Sequence, residues 1–241
     1  MSREEKTPAT VPESPGRRAG EDPWERHGAE RGVWTEPMLK ALEKGVKGNR
    51  WFSLIDKVAS ERTLGIAWGK VESNAGACGV DNTTVRHFAK DSQRRLLAVR
   101  EQIRGGRYHP RPVRRVHIPK PGSREKRPLG IPTVTDRVVQ AAVKLVVEPI
   151  FEHGFSPASY GFRPGRCCKD ALREVLGQLR EGKRHVVDLD IRGYFDNIPH
   201  DALMRLVERR IADNKVLGLI GEFLKIKAPQ LSRWVCTPSA S

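Results

Sequence analysis

The chain has 241 residues, and its 44 Lys and Arg against 29 Asp and Glu give a formal net charge of +15. That length suffices for one large domain or two small ones, and that charge points to a polyanionic partner, nucleic acid before anionic membrane. Apolar runs such as Val143–Val147 are too short to span a bilayer, the N-terminus lacks the apolar core of a secretory signal, and no Gly-rich Walker loop argues for an ATPase or GTPase. A cytoplasmic protein with no membrane partner is therefore expected. The four cysteines, Cys78, Cys167, Cys168 and Cys236, form no CxxC pair and read as free thiols of a reducing compartment.

Residues 1–33 are rich in Pro, Gly, Glu and Arg, too poor in apolar side chains to offset their ordering entropy, and are expected to be a disordered tail. They carry six basic and seven acidic residues, so the positive excess belongs to the rest of the chain. From Trp34, helical periodicity sets in. Met38, Leu39, Leu42 and Val46 share one face; Trp51, Phe52, Leu54, Ile55 and Val58 share another. Leu64, Ile66, Ala67, Trp68 and Val71 predict a third helix, ended at Asn74-Ala75-Gly76. Beyond the Gly79-Val80-Asp81 loop a single long helix is expected from about Thr83 to Ile103, stopped by Gly105-Gly106.

Between Arg100 and Gly130 stand ten basic residues, among them Arg107, Arg111, Arg114, Arg115, Lys120 and Arg127, opposed only by Glu101 and Glu125. Val113–Ile118 alternates as a strand should, 119–123 reads as a turn, and Pro128–Ile131 as the return strand. A basic hairpin suits phosphate contacts, because guanidinium can grip phosphate in two places. Thr135–Phe151 is the next helix, with Thr135 as its expected N-cap. The run Ser159-Tyr160-Gly161-Phe162-Arg163-Pro164-Gly165-Arg166 makes a rigid, basic, aromatic loop of the kind that stacks on bases and holds phosphate. Helices follow over Asp170–Leu179, past His200, and over Val216–Ile226, so the element order is α+β.

His185–His200, HVVDLDIRGYFDNIPH, is the densest chemical signal. In a strand, Asp188 and Asp190 project on one face with Val186, while Val187, Leu189 and Ile191 enter a core from the other. Two acids near a strand end, followed by Tyr194 and Phe195, suggest a metal-binding corner that handles nucleotides.

Five stretches in one order carry a resemblance: Val116-His117-Ile118-Pro119-Lys120-Pro121, Arg127-Pro128-Leu129-Gly130-Ile131-Pro132, Asp136-Arg137-Val138-Val139-Gln140, Tyr160-Gly161-Phe162-Arg163-Pro164, and Asp190 to Asn197. Together they resemble the N-terminal half of a bacterial group II intron reverse transcriptase/maturase, as do the block Trp51–Lys57 and the Gly79-Val80-Asp81 loop. The resemblance spans about Trp34 to Ala228. It implies a right-hand polymerase, with a helical N-terminal extension over 34–110 and fingers plus partial palm over 111–241. It also implies an RNA-directed DNA polymerase aiding intron splicing and mobility. On this basis Asp190 is the catalytic acid that binds Mg2+, and Ile191 lends its carbonyl to a metal. Phe195 sits under the incoming sugar, and Lys120 and Arg127 contact the triphosphate of a deoxynucleotide. Gly161, Phe162, Arg163 and Pro164 support an RNA/DNA template-primer, and Arg107, Arg111, Arg114 and Arg115 grip intron RNA. Asp190 is preferred over Asp188 and Asp196 because the family places its aromatic five residues after the acid; Asp196 is expected to cap a helix or bond the local backbone.

One element of the family pattern is absent from the sequence. A Tyr-Ala-Asp-Asp turn, which would supply the opposing carboxylate, occurs nowhere in the chain, and the residues after Lys227 do not resemble the expected continuation. The expectation is a truncated polymerase, inactive alone. The alternative is a non-catalytic fragment that keeps only the basic grip on intron RNA.

Overall fold

A computed structural model of the chain describes residues 28–119, 122, 126–191 and 193–226; for Lys47 and Asp196 only the backbone is described. Residues 1–27 of the expected tail, Lys120 and Cys236 lie outside the described residues. The tail reaches less far than composition suggested: Ala29 and Val33 are buried, and the chain is already folded at Trp34.

Helix α1 (Glu36–Lys44) follows Thr35, with Pro37 in its first turn, where a missing N–H breaks no helical hydrogen bond. The apolar run after it forms only one turn of helix, α2 (Ile55–Val58), and leaves Phe52 62% exposed. Helix α3 (Glu61–Ser73) is capped by Ser60, whose Oγ accepts from the Thr63 N–H at 3.1 Å. The expected long helix over 83–103 is two, α4 (Val85–Lys90) and α5 (Ser92–Arg104), broken at Asp91 with φ −129° and ψ 23°. The break lets Phe88 stack on Trp68, centroids 4.6 Å apart, while Val99 and Ile103 enter the core along a second axis.

Strands β1 (Arg114–Pro119) and β2 (Lys126–Ile131) pair antiparallel, with Arg114 opposite Ile131 and Ile118 opposite Arg127. Helix α6 (Val134–Glu152) starts one residue before the expected Thr135. Its cap is Thr133, whose Oγ1 accepts from the Asp136 N–H at 3.1 Å. The fully buried Val134, Val138, Val139, Ala142 and Val146 make α6 the axis of the molecule. Burial of each valine side chain contributes on the order of 1.5–3 kcal/mol.

Helix α3 lies along α6, and the Trp34 indole donates to the Leu145 carbonyl at 3.1 Å. Elements before and after the hairpin thus share one hydrophobic core, which runs from Trp34 and Leu39 through Phe88 to Val216 and Leu219. The end of the folded part is tied to its beginning. The Trp51 N–H donates to the Arg210 carbonyl at 2.7 Å, and the Ala212 N–H to the Trp51 carbonyl at 2.8 Å. Asp213 caps α9 (Asn214–Lys225) through the N–H groups of Lys215 and Val216, and its second oxygen accepts from the Ile55 N–H at 2.8 Å.

The acidic stretch is not the expected strand. Residues 183–191 have no regular structure and are exposed throughout, including Val187, Leu189 and Ile191, which were expected to enter a core. A strand exists by pairing, and among the described residues the only strands are the two of the hairpin. The flanking helices α7 (Cys168–Arg180) and α8 (His200–Glu208) are amphipathic as expected, yet neither buries a residue. Leu172, Val175, Leu176 and Leu179 remain exposed on α7.

Candidate nucleic-acid interface

The hairpin register sorts the basic side chains onto two faces. Cross-strand partners share a face, so Arg114 and Arg127 lie with Val116, Ile118, Leu129 and Ile131, whereas Arg115, His117 and Lys126 lie on the other side. Arg115, His117 and Lys126 are exposed, as are Arg107 and Arg111 on the approach to β1. Arg114 is half-buried, and its Nε is buried without a hydrogen-bond partner among the described residues. Lys120, expected to pair with Arg127 on a triphosphate, lies outside the described residues; Arg127 itself is exposed.

What aims the hairpin is a pair of adjacent residues that the sequence singled out without assigning a task. Asp136 is 1% exposed. It accepts from the Tyr108 hydroxyl at 2.5 Å, the Thr133 hydroxyl at 2.6 Å and the Arg111 N–H at 3.3 Å, which fixes the segment entering β1. Burial, then the neighbouring Asp136 charge, pushes the Tyr108 phenol far above its ordinary value, so the hydroxyl stays a donor. Arg137 points the other way and donates to the carbonyls of Ala75 at 3.0 Å and Ala77 at 2.9 Å. Burial pulls its guanidinium below the usual value. Nearby, a Cβ at Gly79 would stand 2.7 Å from the Thr133 backbone, so only glycine permits that loop to seat against the start of α6.

The aromatic-basic loop is held from inside. Arg163 donates through Nε to Glu152 at 3.0 and 3.2 Å and through Nη2 at 2.6 Å. Through Nη1 it also reaches the Ser156 and Ser159 carbonyls at 2.7 and 2.8 Å. Its guanidinium lies 5.3 Å from the Phe155 ring centroid. The two side chains of this ion pair are 8% and 7% exposed, so Arg163 holds the loop rather than presenting its charge to solvent. Arg166 similarly donates to the Pro157 carbonyl at 2.5 Å and stacks 5.3 Å from Tyr160. Pro164 packs against Gly28, where a Cβ would meet the proline ring at 2.3 Å. Gly161 is exposed, and Phe162 between them is 99% exposed with φ +57°.

Asp190 and Ile191 lie on the exposed, unpaired stretch, with Asp188 equally exposed. Phe195 follows in a single 3-10 turn (Phe195–Asn197), exposed and edge-on to Tyr194 at 5.4 Å. A catalytic magnesium needs several oxygen ligands held in near-octahedral order. Among the described residues no three His, Cys, Asp or Glu side chains come together to hold a metal. Asp190 supplies one suitable hard oxygen donor, and the donor set around it falls short of a metal site.

The functional positions that sequence reasoning missed are the supports: Tyr108, Thr133, Glu152, Asp213 and the Gly79 contact. Two acids among the otherwise apolar buried positions of α6, Asp136 and Glu152, were the available signal.

Comparison with known proteins agrees with the order of motifs. The family described as reverse transcriptase (RNA-dependent DNA polymerase) matches residues 118–238. Group II intron-encoded protein LtrA of Lactococcus lactis subsp. cremoris is 39% identical over 171 residues, 70% of this chain and 28% of that protein. Protein YkfC of Escherichia coli is 42% identical over 134 residues, 54% of this chain and 35% of its own length. Nuclear intron maturase 1, mitochondrial, of Arabidopsis thaliana is 35% identical over 94 residues, 39% of this chain and 13% of its own. The chain spans about a third or less of each of these relatives.

Proposed function

The chain belongs to the reverse transcriptase (RNA-dependent DNA polymerase) family, with group II intron-encoded proteins among its relatives, and from that membership we propose that it binds intron RNA without polymerising by itself. In this reading residues 34–110 form the helical extension, and residues from 111 onward form the fingers and opening palm of a right-hand polymerase. Reverse transcriptases use divalent metal ions, and Mg2+ bound beside Asp190 would activate a primer 3′-hydroxyl and steady a triphosphate. Asp190 and the Ile191 carbonyl are the groups of this chain that would face it. They do not make a site between them, so no chemical step is assigned to this chain.

The observation that carries the reading is the exposed basic surface at Arg107, Arg111, Arg115 and Lys126, braced by Asp136 on a well-buried core. Arginines on a rigid hairpin bind the phosphates of structured RNA and release condensed counterions, so affinity must fall steeply with salt. Arg127, Phe195, Gly161, Phe162 and Pro164 are the positions proposed to meet deoxynucleoside triphosphate and template-primer, with Arg163 holding their loop from inside.

The test is filter binding of group II intron RNA across a salt series. Affinity should drop with salt, Arg115→Ala and Arg111→Ala should each weaken binding and flatten the salt slope by about one unit, and Asp190→Ala should leave it unchanged. Binding indifferent to salt and to both arginines would overturn the proposal. Primer extension on an RNA template with Mg2+ should give no product from this chain alone.

A further inference from the structure

Phe162 presents an energetic puzzle. A phenyl ring left 99% in water forgoes the burial that the rest of the core obtains, and its φ of +57° is a conformation that non-glycine residues seldom adopt. Such an arrangement persists only if neighbouring structure over-determines it. Here the over-determination is visible. The next residue, Arg163, spends Nε, Nη1 and Nη2 on Glu152, Ser156 and Ser159, with the ion pair nine-tenths buried. On the far side Pro164 is lodged against Gly28, and Gly165 takes φ +69°. The loop is thus fixed at both shoulders while its tip side chain stands free.

We propose that Glu152 is a positioning residue which, through Arg163, holds Phe162 out as a stacking platform for an unpaired base of single-stranded RNA. The proposal rests on the RNA-binding function above and deepens it. The chemistry of the ring selects the ligand class. An exposed ring offers its faces to another flat ring, and every nucleobase has one, so contact is strong and tolerant of sequence. The net charge of +15 brings a polyanion to this surface before any neutral aromatic ligand. Neither Arg163 nor Glu152 touches the RNA: the pair is covered, and its effect passes through backbone geometry. Because the pair is buried, removing one partner strands the other charge and lets the loop relax.

The experiment uses the full chain, a short fluorescein-labelled oligoadenylate and a matched abasic ribose-phosphate strand, read by anisotropy. Phe162→Ala should weaken the base-bearing strand roughly 5- to 150-fold, leave the abasic strand unchanged and keep the salt slope. Phe162→Trp should retain or exceed wild-type affinity. Both changes lie at a fully exposed side chain and do not disturb the core, so they stand even if a change at Glu152 unfolds the loop. Glu152→Gln, with native circular dichroism, should weaken the base-bearing strand as Phe162→Ala does, and combining the two should cost nothing further. Equal weakening of both strands by Glu152→Gln would make that residue merely structural and overturn the positioning role. Phe162→Ala that binds both strands as wild type, while Arg115→Ala weakens both, would remove the platform and leave the RNA-binding function standing. If Arg115→Ala is also without effect, the RNA-binding function fails and the platform with it.

Discussion

Arg163, read from its type alone, belongs among the phosphate-holding arginines of a basic loop; in the fold it is the loop's internal clamp. The sequence could not show this, because the partner, Glu152, sits eleven residues earlier at the end of a helix whose other buried positions, Asp136 apart, are apolar. Two further positions give residue-scale predictions. A methyl group at Gly79 would have to displace the backbone of Thr133 and Pro132, not a pliable side chain. Gly79→Ala should therefore lower stability by about 1–3 kcal/mol in urea unfolding, with no loss of a charged group. Tyr108→Phe removes a donor to a buried carboxylate and should cost about 1.5–3 kcal/mol at neutral pH. The folded-state pKa of Tyr108 lies above its unfolded value, so its contribution is fully present below about pH 10 and lost as pH rises further. Melting curves of the wild type should consequently fall more steeply above about pH 10 than those of Tyr108→Phe.

Among the elements, the helices were legible because their apolar spacing reports burial directly, and the hairpin because its turn chemistry and alternation agree. Caps were legible only to within a residue or two: Thr133 and Thr135 flank the same helix start, and the choice between them is made by whose oxygen reaches the Asp136 N–H. The acidic stretch misled for a physical reason. Alternation at 185–191 states which side chains could share a face, but a strand's backbone groups must be satisfied by a neighbour that the stretch itself does not contain. The same holds for α7, whose apolar face is correct as a pattern and uncovered in fact. The consequence is measurable. Amides of 184–191 should exchange with solvent near the rate of an unstructured peptide, those of α6 should be protected to the global unfolding limit, and protease should cut first between Lys183 and Arg192. Strong protection over 184–191 in the isolated chain would contradict the fold described.

For the whole molecule, the organising fact is one core shared by segments on both sides of the hairpin. Trp34 donates to Leu145, and Trp51 is paired with residues 210–212. Residues 34–110, so joined, are not a separable unit. Unfolding should be a single cooperative transition, with tryptophan fluorescence (Trp34, Trp51 and Trp68 are all in or against the core) and far-ultraviolet circular dichroism coinciding. Two separated transitions would indicate that 34–110 folds independently. The candidate site was legible at this scale through charge, since the positive excess lies in the folded part, whereas the bracing that aims it was hidden in long-range contacts.

The bond from the Ile55 N–H to Asp213 spans 158 residues. During synthesis the first turn of α2 is made early and its acceptor late; at about 5–20 residues per second the wait is roughly 8–30 s. Over that interval α3 already has α6 to pack on, whereas the Ile55 N–H and the Trp51 backbone still lack the partners that residues 210–213 supply. Closure of the segment around α2 is therefore among the last events of synthesis, and ribosome-stalled chains ending before Asp213 should be digested there more readily than the released chain.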